Sequence, residues 1–118
     1  MEEGKFQIVR NLYGYDICAE ITLLKNDIHV LITGGSLPHT GAVSMYCNGK
    51  EVGAVQSEGH RDKVVADRWS QRLSEEFCCR VTAVCGIHYD KLAKDEIRQV
   101  VFVTDEMLEE ASDRIEKQ

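Results

Sequence analysis

Aliphatic and polar residues alternate in two neighbouring stretches near the start of the chain. Aliphatic side chains occupy every second position in Ile17–Leu23 and again in Ile28–Ile32. A period of two is typical of a β-strand with one buried face. The turn pair Asn26–Asp27 separates the stretches, so we predict that they form a β-hairpin. An earlier strand is predicted to begin near Phe6, and Tyr13–Tyr15 is interpreted as a bend or bulge.

An Asn-Gly pair marks a second hairpin. Asn48–Gly49 lies between two runs that are rich in apolar residues. This dipeptide favours a type I′ turn, in which both central residues have positive φ. The two strands of this hairpin are predicted over Gly41–Cys47 and Glu51–Val55.

A repeat of four residues replaces the period of two after this hairpin. Apolar residues recur at every fourth position, at Val65, Trp69, Leu73 and Phe77. This spacing predicts an amphipathic helix of about five turns, running from His60 or Arg61 to Cys78. Asp62 falls in its first turn, where a negative charge suits the helix dipole.

The last third of the chain contains one more strand and one ambiguous segment. Alternation predicts a strand over Arg80–His88. The β-branched stretch Gln99–Thr104 favours a strand by propensity alone. A longer repeat runs through the same stretch, at Ile97, Val101, Thr104, Leu108, Ala111 and Ile115. Because sustained spacing outweighs local propensity, we predict a helix from about Lys94 to Lys117.

Together these elements predict an α+β fold. Its core is an antiparallel β-meander sheet of about six strands, with two packed helices. The 118 residues fit one domain, and no proline-rich or Gly/Ser-rich linker divides them. We therefore predict a single domain over residues 1–118.

The charge balance excludes two classes of partner. Acidic residues outnumber basic ones by 20 to 14, for a net charge of −6. Nucleic-acid binding needs a basic stripe, and an acidic chain is not attracted to an anionic membrane, so neither partner is expected. No apolar run approaches the roughly 20 residues that cross a bilayer. The amino terminus lacks a signal-peptide layout. With five cysteines, an odd number, we expect a cytoplasmic protein with reduced thiols.

The least ordinary chemistry lies in the connection between two predicted strands. Gly34 and Gly35 permit positive φ and the close approach of another group. Pro38, the only proline in the chain, fixes φ just before His39. A histidine in this setting can titrate near neutral pH, bind a metal or hydrogen-bond a ligand. The residues alone equally allow a glycine-rich connection with a surface histidine.

Three histidines lie at the ends of predicted elements. His39 follows the glycine pair, His60 starts the first helix, and His88 ends a strand just before Asp90. These positions allow the three imidazoles to converge at one end of the sheet. The alternative is three solvated or capping side chains.

The known catalytic and metal-binding motifs are not matched. The glycine pair leads into a strand, which argues against a phosphate-binding loop or a dinucleotide site, although an anion-binding nest of backbone amides stays open. Adjacent Cys78–Cys79 lacks zinc-ligand spacing, and Cys85 and His88 point to opposite faces of a regular strand. A thiol at a helix carboxyl end is not activated, and no Gly-x-Ser-x-Gly elbow is present. We therefore predict neither a metal site nor a catalytic residue.

Three blocks of the sequence, in order and spacing, resemble a known family. The blocks are Ile32–Gly35 with Pro38–Val43, then Gly59–Asp62, then Gly86–Asp90 with Asp95–Ile97. Together they are similar to the prenylated-flavin chaperone-like domain. That domain is the small D subunit associated with gallate- and hydroxybenzoate-type decarboxylases. The resemblance covers the chain from about Ile28 to Ile97.

The resemblance implies both a fold and a role. The implied fold is similar to that of the smallest eukaryotic proteasome assembly chaperones, which tend to dimerise, so a homodimer is expected. The implied role is non-catalytic: the protein helps a decarboxylase catalytic subunit to acquire or retain prenylated FMN, which it contacts only transiently. Carried over residue by residue, the cofactor-contact positions are Gly34, Gly35, Pro38, His39, Gly41, His60, His88 and Asp90.

The chain departs from the family at one position. Where the family tends to have Thr before the last helix, this sequence has Ala93, which cannot cap through a hydroxyl. Asp90 is the nearest substitute. Two other functions stay open: a protein-assembly module without a ligand, and a small flavin- or phosphate-binding enzyme that uses His39 and His88 as acid and base.

Overall fold

The computed structural model describes residues 1–57 and 60–117, which form six strands and two helices. In chain order the elements are β1 (Gly4–Leu12), β2 (Tyr15–Leu23), β3 (Asp27–Gly35), β4 (Ala42–Cys47), β5 (Lys50–Gln56), α1 (His60–Phe77), β6 (Arg80–His88) and α2 (Lys94–Glu116). The predicted α+β class and the number of elements are confirmed.

The sheet is mixed rather than wholly antiparallel. Its strand order is β1-β2-β3-β6-β4-β5, and β6 runs parallel to β3. The last strand therefore enters between β3 and β4, which the meander prediction placed side by side. Alternation in a sequence identifies the buried face of a strand but says nothing about its neighbours. The choice of neighbours follows from α1, which carries the chain back over the sheet before β6 begins.

Both Gly-containing hairpin turns are tight two-residue turns. Asn48 and Gly49 have φ of 51° and 83°, which confirms the predicted type I′ geometry. Tyr13 and Gly14 have φ of 53° and 82° and join β1 directly to β2. The interpretation of this stretch as a bend or bulge was wrong, because a tyrosine at the first turn position does not signal a turn as asparagine does.

Both helices pack on the same face of the sheet. The residues of that face form one continuous row across five strands, Ile8–Ala19–Ile32–Cys85–Ala42, and all are buried. Trp69 and Leu73 of α1 are fully buried against it. Burial of this row supplies the main driving force for folding.

The ambiguous stretch near the carboxyl end is helical. Gln99–Thr104 lies inside α2, and Thr104 is fully buried. The predicted helix is therefore confirmed, since the longer repeat places its apolar stripe against β1 and β2. Neither α1 nor α2 combines the length and the apolar character that a membrane span requires.

The opposite face of the sheet is covered by neither helix. Its central row is Gln7–Glu20–Leu31–Val84–Val43–Val55. We call this surface the open face. Leu31 is 37% and Val55 is 68% exposed, whereas Val84 and Val43 are half-buried between their neighbours.

The connection from β3 to β4 must cross β6, because β6 lies between them. The crossing occurs at Gly86, where an added Cβ would overlap the carbonyl group of His39. Gly86 itself is buried. A side chain at this position is therefore incompatible with the observed path of the connection.

Replacement of Gly86 by alanine tests this close approach. We expect Gly86→Ala to lower the free energy of unfolding by about 2 kcal/mol, because the connection must shift away from β6. Gly53→Ala is the matched control, since an added Cβ at Gly53 meets no atom within 4 Å. Urea unfolding measures both. Equal effects of the two substitutions would contradict the proposed constraint.

Candidate functional site

The predicted histidines lie where the crossing connection meets the carboxyl end of β6. The rings of His39 and His88 lie 6.5 Å apart, centroid to centroid, at an angle of 77°. Gly35 pairs with His88 across β3 and β6. His60 is the first residue of α1, but its side chain lies outside the described residues. The structure thus brings two of the three imidazoles together.

The connection is bonded to β6 through its own backbone. The amides of Ser36, His39 and Gly41 donate to the carbonyls of His88, Gly86 and Cys85, at 2.8, 3.4 and 2.9 Å. The possible anion-binding nest is therefore not formed by these three amides, because each is already engaged.

The glycines near this end are explained by close packing. Gly35 has φ of 80°, and an added Cβ would overlap the backbone of His88. At Gly41 an added Cβ would overlap the carboxylate of Asp62, and at Gly34 it would lie 2.8 Å from the backbone of Ile17. Protein atoms already occupy the space beside these three predicted contact positions. The fold itself requires glycine there.

Asp62 is the polar centre of the site, and the sequence reasoning missed this role. It lies in the first turn of α1 and is 8% exposed. Its Oδ1 accepts a hydrogen bond from the amide of Ile87 at 3.1 Å and from the thiol of Cys85 at 3.6 Å. Its Oδ2 lies 3.3 Å from Nε2 of His39. One carboxylate therefore joins α1, β6 and the connection.

His39 has an acceptor at each ring nitrogen. Nδ1 lies 2.9 Å from the carbonyl oxygen of Leu37, and Nε2 faces the Asp62 carboxylate. Only the doubly protonated imidazolium donates to both acceptors. Because both nitrogens are engaged within the protein, His39 is poorly placed to act as a general acid or base.

His88 and Asp90 form an exposed pair. Nε2 of His88 lies 2.9 Å from Oδ1 of Asp90, and both side chains are largely in solvent. Asp90 therefore does not cap α2. Instead the Glu96 carboxylate accepts a hydrogen bond from the amide of Ala93 at 2.9 Å, which is the half of a capping box that needs no hydroxyl at position 93.

A cluster of three tyrosines at the same end of the sheet was also missed. The Tyr89 ring lies edge-on to Tyr13 and Tyr15, at centroid distances of 6.1 and 5.9 Å. Its hydroxyl donates to the carbonyl of Leu12 at 2.8 Å. Tyr13 and Tyr15 remain 43% and 47% exposed. In the sequence, the only indication of this cluster is that the three tyrosines lie at the ends of predicted strands. The contacts between their rings form only in the tertiary structure.

The five cysteines are free thiols of different exposure. Burial, with the nearby Asp62 carboxylate, raises the pKa of the Cys85 thiol far above its usual value. Burial also raises the pKa of Cys79, while Cys78 is exposed. Within residues 1–57 and 60–117, no group of three His, Cys, Asp or Glu side chains is arranged to hold a metal.

Comparison with solved structures identifies the class of fold. The chain resembles a chain in the crystal structure of a chaperone complex for yeast 20S proteasome assembly, with a TM-score of 0.56 at 11% sequence identity. The alignment covers 92% of this chain and 95% of that chain. At this identity the likeness shows a shared fold alone.

Comparison of sequences identifies the family. The family model of the prenylated flavin chaperone LpdD-like domain matches residues 11–116. Protein LpdD of Lactiplantibacillus plantarum (strain ATCC BAA-793 / NCIMB 8826 / WCFS1) is 24% identical over an alignment of 99 residues, and the alignment covers 80% of this chain and 73% of LpdD. The chain belongs to the prenylated flavin chaperone LpdD-like family. It is a chaperone-type protein and not an enzyme.

Substitution of Asp62 tests its role as the joint between three elements. We expect Asp62→Ala to lower the free energy of unfolding by about 2–3 kcal/mol, because the Ile87 amide loses its acceptor and His39 its partner. Asp62→Asn keeps an oxygen for Ile87, so its cost should be smaller. Asp90→Asn is the exposed control and should change stability by less than about 0.5 kcal/mol. Chemical denaturation of the four proteins gives the ranking, and Asp62→Ala no worse than Asp90→Asn would refute it.

Proposed function

We propose that this protein assists a prenylated-FMN-dependent decarboxylase in acquiring its cofactor, through transient contact with the prenylated flavin. The observation that carries the proposal is the family match over residues 11–116, whose description is a prenylated flavin chaperone. The site agrees with a non-catalytic role, because the buried Asp62 carboxylate and the His39 ring make contacts that stabilise the fold. Such a chaperone needs no nucleophile and no acid-base pair.

The proposed contact surface is the end of the sheet that carries the histidines and tyrosines. His88, Asp90, Tyr13 and Tyr15 are exposed there, and Pro38 is exposed in the crossing connection. Exposed aromatic rings offer large, rigid contact areas to a planar ring system or to a protein partner. The remaining positions that the family resemblance implies, His39, His60, Gly34, Gly35 and Gly41, are proposed to shape this surface.

Tyr13 provides an independent argument for binding at this surface. It has φ of 53°, a conformation in which asparagine or glycine is ordinary and a bulky residue is strained. A tyrosine at this turn position makes the folded chain less stable than asparagine or glycine would. Strain of this kind is common at sites of recognition, where the side chain is needed. We infer that the Tyr13 ring contacts the decarboxylase or its cofactor.

Substitution of Tyr13 separates folding from recognition. Tyr13→Asn should leave the chain folded, because Asn-Gly suits the turn, yet weaken the complex with the decarboxylase catalytic subunit by roughly tenfold in Kd. Calorimetric titration of the apo-decarboxylase measures Kd, and native mass spectrometry measures the fraction loaded with prenylated FMN after co-expression. Phe102→Asn on α2 is the control, since Phe102 is 55% exposed and belongs to neither the tyrosine cluster nor the crossing connection.

Each outcome of this experiment has a defined meaning. Weaker binding and poorer cofactor loading with Tyr13→Asn, but not with Phe102→Asn, support the proposal. If wild-type protein neither binds the decarboxylase nor raises its loading, the proposal is wrong for that partner. If it binds and loading stays unchanged, a protein-assembly module without a ligand is the better description.

We also propose that two copies associate through the open face. Six strands about 4.8 Å apart and up to nine residues long present roughly 700–800 Å². A standard protein interface buries about 800 Å² per partner, so one sheet face is sufficient. The aliphatic centre, in which exposed Leu31 lies beside half-buried Val84 and Val43, suits face-to-face packing of two sheets.

Charge placed on the open face tests this association. Leu31→Lys should convert a dimer to a monomer, because packing of the two faces would bury the ammonium group. The protein should remain folded, since Leu31 is 37% exposed in the monomer and lies beside Glu20. Phe102→Lys, on the side of the helices, should remain dimeric. Sedimentation equilibrium gives the masses. A monomeric wild type, or a dimeric Leu31→Lys, would overturn the proposal.

Two further features, the free cysteines and the shared hydrophobic core, bear on the cellular compartment and the domain organisation of the protein. Five free thiols agree with a reducing, cytoplasmic environment. We further propose that residues 1–118 act as one domain, since the helices share a single hydrophobic core with the sheet.

A further inference from the structure

A cleft of about 300 Å³ lies between the amino-terminal ends of the two helices and the end of β6. Its apolar lining comes from α1, β6, the following loop and α2, and consists of Val65, Ile87, Leu92, Ile97, Val100 and Val101. Further along, α1 and α2 are joined by the ion pairs Arg68–Asp105 and Arg72–Glu109. The cleft is therefore bounded by elements that are fixed relative to one another.

The polar groups of the cleft are mainly cationic. Arg61, Lys91 and the imidazole of His88 line it together with Asp62. The Asp62 carboxylate faces the Ile87 amide and His39 rather than Arg61 or Lys91, so the cleft holds two cations and one anion that is engaged elsewhere. Within the described part of the chain, neither Arg61 nor Lys91 forms an ion pair. Two cations beside an apolar cleft are notable in a chain with a net charge of −6.

The backbone at Lys91 supports a binding role. Its φ is 56°, which is the left-handed region that favours glycine or asparagine. A lysine held there costs conformational energy, and such residues cluster at ligand sites. Glycine at this position would remove the conformational strain, so the presence of lysine indicates that its side chain has a role.

We propose that the cleft binds a small phosphate ester with a compact, branched apolar body. Arg61 and Lys91 bind the phosphate, for which a guanidinium and an ammonium group are well suited, and the aliphatic lining receives the hydrocarbon. The volume is at the lower end of small-molecule sites, which run from about 300 to 1,000 Å³. A five-carbon ester is small enough to be held within this volume, whereas a complete flavin nucleotide would extend beyond it.

This inference deepens the proposed function, because it adds a ligand cavity at the same end of the sheet. Binding of the ester by the cleft does not depend on the proposed function. Only the link between that binding and a decarboxylase rests on it. Its test uses the isolated chain and no decarboxylase, so the two proposals can fail separately.

Binding is tested by titration of the ¹⁵N-labelled protein with 3-methylbutyl phosphate. Amide signals of Ile87, Leu92 and Val100 should shift in a saturable way. The two halves of the probe, inorganic phosphate and 3-methylbutanol, should each bind at least about tenfold more weakly, because each satisfies only one part of the cleft. Inorganic phosphate binding as tightly as the ester would show a non-specific anion site and overturn the proposal. Tighter binding of FMN, or of benzoate, would also overturn it.

Charge substitutions test the phosphate contacts. Arg61→Gln and Lys91→Gly should each raise the Kd of the ester by roughly tenfold or more. Lys91→Gly also relieves the positive φ, so the protein should be at least as stable as wild type while it binds less well. Lys94→Gln is the matched control, since Lys94 begins α2 but does not line the cleft. Equal loss with Lys94→Gln would indicate only general electrostatic attraction.

A steric substitution tests the apolar part independently. Val101→Phe on α2 should fill the cleft and abolish binding of the ester. Val64→Phe is the control, because Val64 is 41% exposed on α1 and does not line the cleft. Circular dichroism tests whether both variants are folded. Undiminished binding by Val101→Phe would show that the ester binds elsewhere.

Discussion

The passage of the β3–β4 connection across β6 is the constraint on which this fold depends. A strand inserted between two strands that are consecutive in sequence forces their connection to cross it. Gly86 permits the crossing, and the connection is then secured by backbone hydrogen bonds and by the carboxylate of Asp62. Because Asp62 belongs to α1, the same contact also positions the helix over the sheet.

The polar groups at this end of the sheet therefore serve the fold first. His39 and Asp62 satisfy one another and the surrounding backbone, which leaves no activated base or nucleophile between them. We propose that recognition uses the exposed surroundings, namely the tyrosine cluster, the pair of His88 and Asp90, and the cationic cleft beside them. This arrangement suits a chaperone, which must bind and release its partner rather than catalyse a reaction.

Sequence reasoning located part of the candidate site. The positions of His39, His60 and His88 allowed convergence at one end of the sheet, and the structure places the rings of His39 and His88 6.5 Å apart there. Asp62 was seen only as a favourable charge in the first turn of a helix, because its partners are more than twenty residues away in the chain. The tyrosine cluster was missed for the same reason. Contacts between distant segments leave no periodic signal in a sequence.

The sequence by itself determined the local elements: the alternating strands, the Asn48–Gly49 turn and the apolar stripes of both helices follow from side-chain periodicity and turn chemistry. It also indicated the family through three spaced motifs. Only the tertiary structure decided that β6 enters between β3 and β4, and hence that Gly34, Gly35 and Gly41 serve close packing. The reason is physical. Periodicity reports which face of an element is buried, whereas the neighbours of a strand are chosen by the path of the whole chain and by long-range packing.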